Sequence, residues 1–100
     1  MIYEVEMNSF ADGRIREVEV DEQLMAPNDL DQNLEKVFYF GQNDFQPRNL
    51  PSVSVGDVIR MNGKRFGVAM FGFKELGPDE EMNVMGKISK KSVDNSQYSR

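Results

Sequence analysis

LEKVFYFGQNDFQPRNLPSVSVGDVIRMNGKRFGVAMFGF, residues 34–73, decides the fold. It starts as the end of a helix, passes through a polar loop and finishes as a strand hairpin. Leu30, Leu34, Val37 and Phe38 recur at i, i+4, i+7 and i+8, which is one apolar stripe of a helix. Asp29 stands at the N-cap position, with Gln32 three residues later where a capping box needs it. Gly41 sits where a C′ glycine ends a helix. A helix is therefore expected over 30–40, with Tyr39 and Phe40 widening the burial of its last turn. Further on, Asn62-Gly63 is the strongest two-residue hairpin signal in the chain. Val58 to Met61 leads into it. Arg65 to Phe71 leads out, with Phe66, Val68 and Met70 alternating against Gly67 and Ala69. The small residues Gly67, Ala69 and Gly72 predict a crowded or curved sheet. Phe73 and Leu76 carry the apolar pattern on until Gly77-Pro78 breaks it.

Between helix and hairpin lies QNDFQPRNLP, residues 42–51, where two prolines and several amides predict irregular backbone. Asn43 and Asp44 are suited to bonding local main chain, and Phe45 and Leu50 to anchoring the loop inward. Loops held by a rigid scaffold often carry binding residues. Gln42, Asn43, Asp44, Phe45 and Arg48 are therefore candidate contacts for a partner. Ser52 and Ser54 alternate with Val53 and Val55 as in a strand with one buried face. At Gly56-Asp57 a turn is expected, with the Asp57 carboxylate accepting backbone N–H groups.

The N-terminal segment alternates as well. Tyr3, Val5 and Met7 share one face of a half-buried strand, and Glu4 and Glu6 share the other. Asp12-Gly13 predicts a turn, and Arg14 to Asp21 is the return strand. Ile15 falls out of phase with Val18 and Val20, so a bulge near Arg16-Glu17 is expected to restore the register. Glu4, Glu6, Glu17 and Glu19 then line an exposed face, partly neutralised by Arg14 and Arg16. Like charges facing each other across a hairpin are unfavourable, so retaining them hints at use. Glu22 to Asn28 is a connector broken by Pro27, with Leu24 and Met25 covering the core edge. Near the C-terminus, Met82, Val84, Met85 and Ile88 fit neither a strand nor a helix period well. From Ser89 onward Val93 and Tyr98 are the apolar residues, which predicts a mobile tail over 89–100. The expected architecture is one α+β domain over residues 1–88. It is a small curved antiparallel sheet of two hairpins, about four to five strands, packed against one helix.

Composition narrows the chemistry. One hundred residues suit one domain, and a hydrophobic content of 39% supports one core. The chain has no cysteine and no histidine. That excludes disulfides, thiol nucleophiles, Cys/His zinc sites and imidazole bases. No apolar run approaches the ~20 residues of a membrane span, and MIYEVEMNSF does not read as a signal peptide. A soluble protein of the cytoplasm is expected. The net charge of −5 is uneven: residues 1–35 hold ten acids and two bases, and residues 36–100 hold seven acids and ten bases. The acidic third would repel nucleic acid and attract a basic protein surface.

Several of these segments together resemble a known family. Leu34-Glu35-Lys36-Val37-Phe38, a polar loop, Ser52-Val53-Ser54-Val55-Gly56-Asp57-Val58-Ile59 and then Gly72-Phe73 are similar to the YodL-like domain. That family pairs an LExxF-type helix end with an SLSVSDVV-type stretch and a later GF pair. Here Val53 and Gly56 replace the usual Leu and Ser, and GQNDFQP replaces the usual loop. The resemblance covers about forty residues by motif order. It implies a setting on phages, plasmids or conjugative elements.

Three functions compete. The favoured one is a small non-catalytic accessory protein that binds and inhibits a host protein complex of defence or division. Its partner-binding residues would be Glu4, Glu6, Glu17, Glu19, Gln42, Asn43, Asp44, Phe45 and Arg48, with Tyr39 or Phe45 as an aromatic anchor. The alternative is a nucleic-acid or nucleotide binder on a small barrel of ASCH or PUA-like type. It would use Arg60, Lys64, Arg65 and Lys74 with Phe66 and Phe71. An enzyme would need acid–base or Mg²⁺ chemistry at Asp44 and Asp57, but no acid, base and electrophile can be assigned together. No catalytic residue, metal or cofactor is expected.

Overall fold

The alternating N-terminal residues form strand β1, Ile2–Met7, which pairs antiparallel with β2, Arg14–Glu19. The computed structural model describes residues 1–8, 14–42, 52–83 and 85–90. The expected Asp12-Gly13 turn, most of the polar loop, Val84 and residues 91–100 lie outside the described residues. Helix α1 spans Leu30–Phe40, as its stripe and caps predict, and the Gln32 N–H donates to Asp29 Oδ1 at 3.0 Å. Strands β3, Val58–Met61, and β4, Lys64–Val68, form the second hairpin. Asn62 and Gly63 both have positive φ, 56° and 76°, the geometry of the tight turn that their sequence predicts. Strand β5, Phe73–Leu76, follows β4, and β6, Glu80–Met82, pairs with β7, Ile88–Lys90, in a small separate sheet.

The main sheet runs β2-β1-β3-β4-β5, antiparallel throughout, so the two hairpins join through β1 and β3 with Val5 opposite Ile59. The molecule is thus an α+β domain with an open five-stranded sheet. Tyr3, Val5, Met7, Val18, Ile59, Phe66 and Val68 share one face, by strand alternation and register. Leu34 and Val37 of α1 bury against this face. On the opposite face Val58, Leu76 and Ala69 form a smaller core under Met82 of β6. Gly67 makes room for it, since a Cβ there would sit 2.9 Å from Met82 Cγ and Sδ. The crowding expected from the small residues is therefore produced by the second sheet.

Several local expectations are corrected. The β1–β2 register runs unbroken from Ile2↔Glu19 to Met7↔Arg14, with no bulge. Ile15 is exposed and Arg16 is buried on the helix side. Arg16 therefore does not neutralise the acidic face. Its Nη1 donates to the Gly41 carbonyl at 2.9 Å, at the C-terminal end of α1. Burial pulls the Arg16 pKa down, while the Asp57 carboxylate opposes that shift. Asp57 is fully buried, and its Oδ2 accepts the Ser54 N–H at 2.8 Å, the role expected of it. Gly41 has φ −80°, an ordinary backbone. It is needed for close approach, because a Cβ there would overlap the Val53 side chain. Ser52 to Ser54 joins no sheet, and Val55 already belongs to the turn with Gly56. At the end of α1, Tyr39 is more exposed than the pattern predicts, and so is Leu30 at the start. Met70 and Phe71 leave β4 for a turn. Met82 and Ile88 lie on strands, and β7 extends past the boundary expected at residue 88.

Candidate functional site

Strand alternation places Ile2, Glu4, Glu6, Ile15, Glu17 and Glu19 on the sheet face that turns away from the helix. Register sets Glu4 directly opposite Glu17 and Glu19 opposite Ile2. The four carboxylates proposed from sequence therefore do share one face. Their cations come from the other hairpin, where Arg60 and Arg65 lie on the same face of β3 and β4. Arg60 donates from Nη1 to Glu4 Oε1 at 2.9 Å and from Nε to Glu6 Oε2 at 3.0 Å. Arg65 grips Glu6 with two bonds, Nε to Oε2 and Nη2 to Oε1, both at 3.0 Å. Its Nη1 also donates to the carbonyls of Gly77 and Glu80, at 2.9 and 2.8 Å. One guanidinium thereby ties β1, β4 and the start of β6 together.

The carboxylates divide by role. Glu6 is half-buried; burial pushes its carboxyl up, and the bonds from Arg65 and Arg60 outweigh that and hold it below the usual glutamate range. The guanidinium groups of Arg60 and Arg65 are raised in turn, each first by its bond to Glu6. Glu6 therefore braces the sheet. Glu4 keeps one partner, Arg60, on an exposed pair. Among the described residues Glu17 and Glu19 make no ion pair. Beside them opens a hollow of about 960 Å³, lined by Met1, Ile2, Glu4, Glu17, Arg60 and Pro78 among others.

The remaining predicted contacts fall elsewhere. Gln42 is turned inward, with Nε2 donating to the carbonyls of Phe38 at 2.7 Å and Val53 at 3.1 Å. There it braces the end of α1 against the segment after the loop. Asn43, Asp44, Phe45 and Arg48 lie outside the described residues. The basic patch of the nucleic-acid alternative is largely neutralised, because Arg60 and Arg65 are bound to Glu4 and Glu6, and Lys64 lies 3.7 Å from Glu75. Phe66 is core. Among the described residues no group of three or more acidic, His or Cys side chains is placed to hold a metal. No described helix is long and apolar enough to cross a membrane.

Sequence reasoning missed two features. The arginines' role depends on β1 pairing with β3, a contact between distant parts of the chain, and strand parity alone could have suggested their shared face. The alternation of Arg65 to Phe71 predicts Phe71 on a strand, yet it is 94% exposed on a turn. Gly72, with φ 79°, was the signal for that turn. Comparison with protein-family models, curated proteins and solved structures finds no match.

Proposed function

We propose that this chain is a small non-catalytic binding protein that lays its β1–β2 face against a basic surface of another protein and occludes it. The observation that carries the reading is the cross-strand set Glu4, Glu17 and Glu19. These carboxylates share one exposed face, with Glu4 directly opposite Glu17 at a cost in stability, and among the described residues Arg60 pairs with Glu4 while Glu17 and Glu19 make no ion pair. Surface features retained against stability are commonly functional. Ile2 and Ile15, both exposed on the same face, add apolar contact within the charged frame. The YodL-like resemblance supplies the setting, an accessory protein of a phage or mobile element acting on a host defence or division complex in the cytoplasm. Neutralisation of Arg60 and Arg65 weighs against the nucleic-acid alternative.

Capture from host lysate tests the proposal, using the wild type and Glu17→Lys/Glu19→Lys side by side. A stoichiometric partner held by the wild type and lost by the variant, with binding weakened by salt, is expected. Equal capture by both, or no stoichiometric partner, would overturn it.

A further inference from the structure

The small sheet is a cover laid over part of the main one. Val58 of β3, Leu76 of β5 and Ala69, which follows β4, are buried beneath Met82 of β6. Neither β6 nor β7 pairs with a strand of the main sheet. Each is three residues long, and a lone two-stranded sheet is marginally stable at best. Among the described residues of the cover, Met82 is the one large apolar side chain that is buried, while Met85 and Ile88 are exposed. The main core owes it nothing: none of the buried residues between the five-stranded sheet and α1 comes from β6 or β7.

Two glycines make the seat and one arginine fastens it. Gly67 leaves the space that Met82 fills, and a Cβ on Gly86 would lie 2.9 Å from the Met70 nitrogen and 3.3 Å from Ala69 Cα. The β6–β7 turn thus rests directly on main chain. Asn83 ties the two strands into one unit, its N–H donating to the Lys87 carbonyl at 2.9 Å and its Oδ1 accepting the Met85 N–H at 2.9 Å. Where the cover begins, Arg65 Nη1 donates to the carbonyls of Gly77 and Glu80. The Nε and Nη2 bonds to Glu6 hold that guanidinium in the required orientation.

We infer that β6 and β7 form a flap that lifts about residues 77–79, while the five-stranded sheet and α1 stay folded, and uncovers Val58, Ala69 and Leu76. Arg65 is the latch, and Glu6 positions it. Regions with few buried apolar contacts open below the global unfolding free energy, and this cover has that character while the sheet beneath has its own core. Val58 faces Glu6 across the β1–β3 pairing. The strip uncovered therefore adjoins the acidic strands, and the flap sets how much apolar surface that face offers. The inference holds whatever the acidic face binds.

Native-state hydrogen exchange of the full chain, followed by NMR, tests this. Once lifted, the short hairpin cannot keep its bonds. The N–H groups of Asn83 and Gly86, bonded to the Lys87 and Asn83 carbonyls, should then exchange together. Their rate should be at least about a hundredfold above that of the Val68 N–H, which donates to the Asp57 carbonyl. Urea below the midpoint should hardly change the faster rate, because lifting exposes little surface. Under dilute peroxide Met82 should oxidise more slowly than exposed Met70 and Met85, and faster than Met7 of the main core. Arg65→Lys should speed Met82 oxidation at least about tenfold. Met82→Asp, whose carboxylate is costly to bury, should strip protection from Asn83 and Gly86 and keep it in β1, β3 and β4. One exchange class for Asn83, Gly86 and Val68, Met82 oxidation as slow as that of Met7, or loss of main-sheet protection in Met82→Asp would each overturn the flap. Met82 oxidation as fast as that of Met70 would overturn it too, since the cover would never be shut. Unchanged oxidation in Arg65→Lys would overturn the latch.

Discussion

Replacing Glu6 by glutamine keeps the side chain's shape and removes its charge. In the native chain this carboxylate takes three charge-assisted bonds at 3.0 Å, two from Arg65 and one from Arg60. The Glu6 side chain is 13% exposed and that of Arg65 is 19% exposed, so solvent replaces the lost partner poorly. Breaking a fully buried pair costs about 3–5 kcal/mol. Arg65 retains the carbonyls of Gly77 and Glu80, and residual exposure softens the loss, which leaves about 2 kcal/mol. For a domain of this size that lowers Tm by roughly 10 °C. Urea unfolding at neutral pH reads the difference directly, with Glu17→Gln as a control expected within about 0.5 kcal/mol of wild type. The Glu6 carboxyl titrates below its ordinary value of 4.5, because the arginine bonds outweigh burial. Its contribution is therefore complete above that value and lost as pH falls through the lower, folded-state one. The gap between wild type and Glu6→Gln should close over the same acid range. Equal midpoints for Glu6→Gln and Glu17→Gln at neutral pH would refute the reasoning.

Three other substitutions have expected outcomes. Gly41→Ala forces a methyl into the Val53 side chain and should destabilise by about 1–3 kcal/mol in thermal or urea unfolding. Asp57→Ala removes the acceptor of the Ser54 N–H and the charge that favours buried Arg16. A loss of about 3 kcal/mol is expected, read as a lower urea midpoint with unchanged secondary structure in the cooperative fold. Glu17→Lys faces Glu4 with an opposite charge and should raise stability by about 0.2–1 kcal/mol. The same change should weaken partner capture, so stability and binding move in opposite directions.

Local signals carried most of the fold. The Asp29 cap, the Leu34-Val37 stripe and the Asn62-Gly63 turn each act within a few residues, and each appears where its chemistry requires. Apart from the turn at Phe71, which Gly72 signals locally, the differences share one cause: they depend on contacts between distant parts of the chain. Hydrophobicity alone points Ile15 inward and Arg16 outward, because it takes no account of the partners that burial supplies. Arg16 is stable inside because the Gly41 carbonyl and the Asp57 charge meet it there. Gly41 looked like a left-handed helix stop, whereas its small size is what the Val53 side chain demands. In the candidate site, period-two alternation was enough to gather Glu4, Glu6, Glu17 and Glu19. It could not divide them into a brace and a free set, because Arg60 and Arg65 arrive through the β1–β3 pairing. Gln42's bonds to the Phe38 and Val53 carbonyls likewise depend on the fold bringing the segment after the loop to the end of α1.

Affinity of the purified host partner, measured by calorimetry for wild type, Glu17→Lys/Glu19→Lys and Lys36→Glu, bears on the acidic face itself. The β1–β2 charge reversal should weaken binding at least about tenfold, while Lys36→Glu, made on the helix that packs against the opposite face of the sheet, leaves it near wild type. Unchanged affinity in Glu17→Lys/Glu19→Lys would show that the partner meets this protein somewhere else.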